Sequence, residues 1–181
     1  MRKVLAISGS TRSQSTNLNY IKAVSVLAAD AFSVEVYKGL MDIPAFNPDN
    51  DGDEPPAVIA DFRNQLKKAD GILICTPEYA MGVPGSLKNA IDWTVSSMEF
   101  SHKPVALITA SLSGLKGHAA LLETLHVIEA KITADTGLII SFAKTKISDD
   151  CTITDEAVLA AVKKMVEAFS VLMQEEPVNS N

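Results

Sequence analysis

Five short strand-like runs, residues 4–7, 33–37, 72–75, 105–109 and 138–142, alternate along the chain with segments whose apolar residues recur at the helical period. Leu18, Ile21, Val24 and Ala28 form the first stripe, Ile59, Phe62, Leu66 and Ala69 the second, and Leu87, Ala90, Ile91 and Thr94 the third. Leu121, Leu122, Leu125 and Ile128 continue the series. The last helix has a readable start. Thr154 stands as its N-cap with Asp155 and Glu156 in the first turn, and Ile153 and Val158 are spaced as a hydrophobic staple. Its stripe is Val158, Val162, Met165, Val166, Phe169 and Leu172. Strands and helices that alternate in this way specify a parallel sheet covered on both faces, an α/β fold. Five strands in 181 residues favour a three-layer sandwich with strand order 2-1-3-4-5 over a closed barrel.

A chain of this length with 47% hydrophobic residues is read as one domain, 1–181, with a large core and a polar tail, 174–181, that frays. The net charge of -6 and the lack of any lysine- or arginine-rich run argue against nucleic acid, whose binding needs a clustered basic footprint. A small-molecule partner is expected instead. The N-terminus enters a strand directly without a signal-like apolar region, and no apolar run reaches the roughly 18 residues of a membrane span. Two cysteines, Cys75 and Cys151, make no disulfide framework, so a reducing cytoplasm is the expected setting. The long loop 38–55 carries Asp49, Asp51, Asp53 and Glu54. A calcium-loop register on Gly52 would put Val58 where a bidentate Glu is required, and Pro55-Pro56 breaks the geometry, so it reads as a solvated acidic turn.

In a parallel sheet the loops that follow the strands lie on one edge, where ligands bind. Three such loops are unusual. Residues 9–17 carry five hydroxyls and Arg12 with no acidic residue, a donor set suited to the terminal oxygens of one phosphate at a helix N-terminus. A polar strand-to-helix turn with a Ser or Thr N-cap is the alternative. The loop lacks the Gly-Lys-Ser/Thr of a nucleoside triphosphate loop and the further glycines of a pyrophosphate turn. Residues 76–85 hold two prolines and two glycines, a rigid backbone that a planar ring can approach, or an ordinary turn with Pro84 near the start of a helix. Residues 110–117 form the third. Strands 1, 3 and 4 are neighbours in this order, so one flat ligand can touch all three loops.

Taken together, Gly9-Ser10-x-Arg12-x-x-Ser15-x-Asn17, Thr76-Pro77-Glu78-Tyr79 and Val83-Pro84-Gly85-x-Leu87-Lys88-Asn89-Ala90-Ile91-Asp92-Trp93 resemble the NADPH-dependent FMN reductase family, which includes quinone, azo and chromate reductases. The resemblance runs from about Lys3 to Gly117. It implies a flavodoxin-like fold that holds FMN, with the phosphate on Ser10, Arg12, Ser15, Thr16 and Asn17. It places the isoalloxazine against Pro77, Glu78, Tyr79 and Ala80, then Ser111 and Gly114. It also implies NADPH or NADH as donor, a small acceptor such as a quinone, free flavin, azo compound or metal oxyanion, and a ping-pong cycle at one face. A homodimer or homotetramer is implied too. Beyond a helix expected over 86–97, Met98 and Phe100 flank a charge, and they are expected either to anchor such an interface or to pack within their own chain. Ala80 and His118 depart from the pattern, standing where many members have Asn and the second glycine of a pair.

Other chemistries lack their residues. A low-molecular-weight phosphatase needs a Cys in the first loop, and none is there. His102, His118 and His126 are scattered, with no spacing for a hydrolytic triad or, with two distant cysteines, for zinc. Cys75, at a strand end, reads as a small buried hydrophobe. No catalytic side chain and no metal ligand is assigned, because a flavin would carry the chemistry. The rival of a different class is a flavodoxin, an acidic electron carrier of the same fold. Arg12 and the Pro77-Glu78-Tyr79 platform are foreign to it.

Overall fold

The structure, a computed structural model, describes residues 1–175. Five strands, β1 (Arg2–Ser8), β2 (Phe32–Val36), β3 (Gly71–Thr76), β4 (Val105–Ala110) and β5 (Gly137–Ile140), pair in the order β2-β1-β3-β4-β5. Every pairing is parallel. The crossovers carry α1 (Thr16–Leu27), α2 (Ala57–Lys68), α3 (Gly85–Asp92) and α4 (Leu115–Val127), and α5 (Glu156–Leu172) follows β5. This is the flavodoxin-like three-layer arrangement.

Burial explains why the strands read as they do. All residues of β3 and β4 are buried, so these two central strands are apolar without alternation. Two apolar clusters fill the two faces. One packs α1 and α5 on the sheet through Tyr20, Val24, Val162, Met165 and Phe169, with the Phe32 and Phe169 rings edge to face at 5.5 Å. The other packs α2, α3 and α4 through Ile59, Phe62, Leu66, Leu87, Ile91, Leu121 and Leu125. No described helix is long and apolar enough to cross a membrane.

Several local expectations are corrected. The α5 N-cap is Asp155, whose side chain accepts from the Val158 amide at 2.9 Å, because the Thr154 backbone is held out of the helix by its bond to the Lys146 carbonyl. Ile153 and Val158 still share one cluster. The helix expected over 86–97 ends at Asp92, where the Thr94 and Val95 amides tighten to carbonyls three residues back. Pro84 stands at the start of this helix as expected, as its N-cap residue. Phe100 is 1% exposed in the core beneath α2 and α3, so it is packed within its own chain and is no surface anchor, whereas Met98 is 59% exposed. The acidic loop is not simply solvated either. Asp51 turns inward to pair with the buried Arg63. The expected tail falls mainly on residues 176–181, outside those described.

Candidate functional site

The C-terminal ends of β1, β3, β4 and β5 open onto one cleft of about 720 Å³. Its floor at one end is the first loop. Gly9 brings that loop hard against β3: its amide bonds the Cys75 carbonyl at 2.8 Å, and a Cβ there would lie 2.3 Å from the Thr76 hydroxyl. Ser15 then caps α1 by accepting from the Asn17 amide at 3.2 Å. The Asn17 side chain is buried, and its Oδ1 accepts from the Cys75 thiol at 3.4 Å, which fixes the amide and leaves Nδ2 as a free donor. Burial pushes the Cys75 thiol well above its ordinary range. It is an inert packing group.

Ser10, Arg12, Ser15, Thr16, Asn17, Pro77, Tyr79 and Ser111, all named from the sequence, line this cleft together. Glu78, Ala80 and Gly114 do not. The Glu78 carboxylate turns to α4, where Oε2 accepts from the Gly117 amide at 2.6 Å. Ala80 is exposed at the tip of a tight turn with φ 49°, and Gly114, with φ 92°, is the residue that starts α4. Its missing side chain lets the loop pass Thr109 and Ile139, whose methyls would lie 3.2 Å from a Cβ.

The sequence reading missed the fourth wall. After β5, Phe142, Lys144, Thr145 and Ile147 join the cleft, with Asn19 and Lys22 from the outer side of α1. Residues 138–142 were expected as strand, but β5 stops at Ile140 and Phe142 takes a left-handed φ of 52° that turns its ring outward, 61% exposed. The rule that post-strand loops share one edge was the available signal. This wall is tied to the third loop by Ala143 N to Ser111 O at 3.0 Å and Phe142 N to Leu112 O at 3.1 Å.

His118 sits in the first turn of α4 with Nδ1 2.9 Å from the Thr109 hydroxyl. Partial burial pushes its pKa below the ordinary 6.5. Among the described residues no group of three His, Cys, Asp or Glu is placed to hold a metal ion. The donor set of the first loop, the helix N-terminus behind it and the single cleft that continues to Tyr79 and Ser111 fit a flat ring linked to a single phosphate.

The model of the family described as NADPH-dependent FMN reductase matches residues 2–144. An NAD(P)H-dependent FMN reductase of Pseudomonas aeruginosa is 32% identical over 93% of this chain and 94% of its own. A quinone reductase of Pseudomonas putida is 34% identical over 65% of this chain, and the match spans 64% of that protein's length. Among solved structures, the flavoenzyme NAD(P)H:(acceptor) oxidoreductase of Paracoccus denitrificans has the same fold, with a TM-score of 0.79 and 24% identity over 96% of this chain and 98% of that one.

Proposed function

The chain belongs to the NADPH-dependent FMN reductase family, and we propose that it is an oxidoreductase that holds FMN in the cleft and passes reducing equivalents from NADPH or NADH to a small acceptor. The observation that carries this reading is the continuity of one cleft from the α1 N-terminus to Tyr79 and Ser111. When bound, FMN supplies the hydride-accepting centre and the electron relay. The protein binds, orients and shields it. Arg12 would offset part of the phosphate charge, and the hydroxyls of Ser10, Ser15 and Thr16 would donate to its oxygens, with the Asn17 amide as a further donor. Pro77 and Tyr79, in a loop that Glu78 braces on α4, would back the ring, and Ser111 would bound its other side. The open mouth serves donor and acceptor in turn, a ping-pong use of one face.

Quinones, free flavin, azo compounds and metal oxyanions are the acceptors proposed, in a cytoplasmic setting. We also propose a homodimer or homotetramer whose partner walls one side of the cleft and leaves its mouth open. The exposed apolar side chains of Met81, Leu112, Leu115 and Phe142 around the mouth support it. Anaerobic addition of NADPH or NADH to the FMN-loaded protein tests the function. The oxidised flavin band should bleach and return when a quinone is added. Reduction only by a separate reductase would make the protein an electron carrier of the flavodoxin kind.

A further inference from the structure

α4 cannot cap itself. Its N-cap residue is Gly114, which has no side chain to accept from the first amides, and its first turn contains no acidic residue. The acceptor comes instead from the second loop, where Glu78 Oε2 takes the Gly117 amide at 2.6 Å, a charge-assisted bond at the positive end of a helix. Among the described residues this is the one hydrogen bond that joins residues 77–83 to a segment other than their immediate neighbours.

The loop it holds is strained. Tyr79 and Gly82 exchange two backbone bonds, at 3.0 and 2.9 Å, across Ala80 and Met81, whose φ values are 49° and 62°. Left-handed φ at both central residues is the pattern that Asn and Gly adopt readily and that a residue with an ordinary side chain resists. The turn also presses on α4. A Cβ at Gly117 would lie 2.7 Å from the Gly82 carbonyl oxygen and 3.1 Å from the Glu78 Cγ. Tyr79 on this turn and Ser111 and Leu112 before α4 line the cleft.

We propose that Glu78 is a positioning residue that latches the strained 79–82 turn to the N-terminus of α4 and so fixes the width of the cleft mouth between Tyr79 and the 111–112 segment. The latch itself is a property of the protein alone, and its effect on ligand rests on the FMN reading above. Glu78 acts through the loop and through Gly117, without contact to the reacting atoms. Ala80 and Met81 keep their unfavourable conformation because Tyr79 and Gly82 are bonded to each other and Glu78 ties the turn to α4.

Amide exchange of Gly117 in the apoprotein decides the latch whether or not FMN binds. Glu78→Ala should expose that amide and raise its exchange rate about ten-fold or more, whereas Glu78→Gln, which retains an acceptor oxygen, should hold it within about three-fold of wild type. In the FMN-loaded enzyme Glu78→Ala should weaken FMN about ten-fold and raise the acceptor KM more than it lowers kcat, with Glu78→Gln restoring most of both. Gly117→Ala supplies a variant that Ala's helix propensity favours, yet it should push the turn away and weaken FMN as Glu78→Ala does. Unchanged Gly117 exchange in Glu78→Ala overturns the latch. So does a Glu78→Gln variant that keeps wild-type Gly117 exchange yet weakens FMN as much as Glu78→Ala, since an intact latch would then lack the effect assigned to it. A wild-type protein that takes up no FMN defeats the functional reading, and the Gly117 exchange then judges the latch by itself.

Discussion

Arg63 and Asp51 show how one buried charge organises a loop that carries no regular strand or α-helix. Their side chains are only 9% and 8% exposed, and Arg63 donates to Asp51 and to the Trp93 carbonyl while Ser96 Oγ donates to Asp51 at 2.7 Å. Burial pushes the Asp51 carboxyl up, but the bonds from Arg63 and Ser96 outweigh it and the net shift is downward. Its folded pKa is therefore below its unfolded one. The stability it supplies is full above the ordinary carboxylate range and is lost as pH falls through it. Arg63→Met should cost about 3 to 5 kcal/mol, since it strands a buried carboxylate, and a denaturant midpoint measures it. Loop 38–55 should then become the first site of proteolysis. Phe100 gives a second residue-level test. Truncation of this core ring by Phe100→Ala should cost about 3 to 5 kcal/mol of folding stability, while Met98→Ala, at an exposed position, should change folding by under about 0.5 kcal/mol. Equal and small effects on folding would contradict the packing.

Helix α4 couples stability to pH through His118. Because burial lowers its folded pKa, the unfolded chain takes the proton more readily, so stability holds above 6.5 and declines as pH falls from 6.5 toward the lower folded value. His118→Gln should flatten that slope in thermal melts taken across the range, and an unchanged slope would show that His118 is not its source. At this scale much was legible. The stripes read for α2 and α3 are all buried: Ile59, Phe62 and Leu66 within α2 and Ala69 just past it, Leu87, Ala90 and Ile91 within α3 and Thr94 two residues past it. What escaped was set by contacts remote in sequence. Asp155 replaces Thr154 as a cap because Lys146 holds the Thr154 amide, and β5 ends early because Phe142 bonds back to Leu112. In the cleft, loops with distinctive residue types, such as 9–17 and 76–85, could be read. The β5 wall was missed, since Phe142, Lys144 and Thr145 carry no motif and only the shared sheet edge pointed to it. Arg63 carries no sequence mark of its burial, which comes from the fold that sets Asp51 beside it.

At the scale of the whole molecule, the parallel order β2-β1-β3-β4-β5 is what makes one site from four distant segments. Each strand delivers its following loop to the same edge, and the central pair β3 and β4 is buried enough to hold those loops rigidly. The first loop and the platform line one cleft, and in the proposed reading a ligand that spans them carries a phosphate at one end and a flat ring at the other. Arg12→Ala should weaken such a ligand about ten- to a hundred-fold, the loss of one charge-assisted bond, and should leave its phosphate-free analogue unaffected. The most direct measurement is a pair of equilibrium titrations of the apoprotein, one with FMN and one with riboflavin, which differ only in that phosphate. The account predicts FMN bound at least about a hundred-fold more tightly, with the gap narrowed by Arg12→Ala. Equal affinity for the two would contradict it.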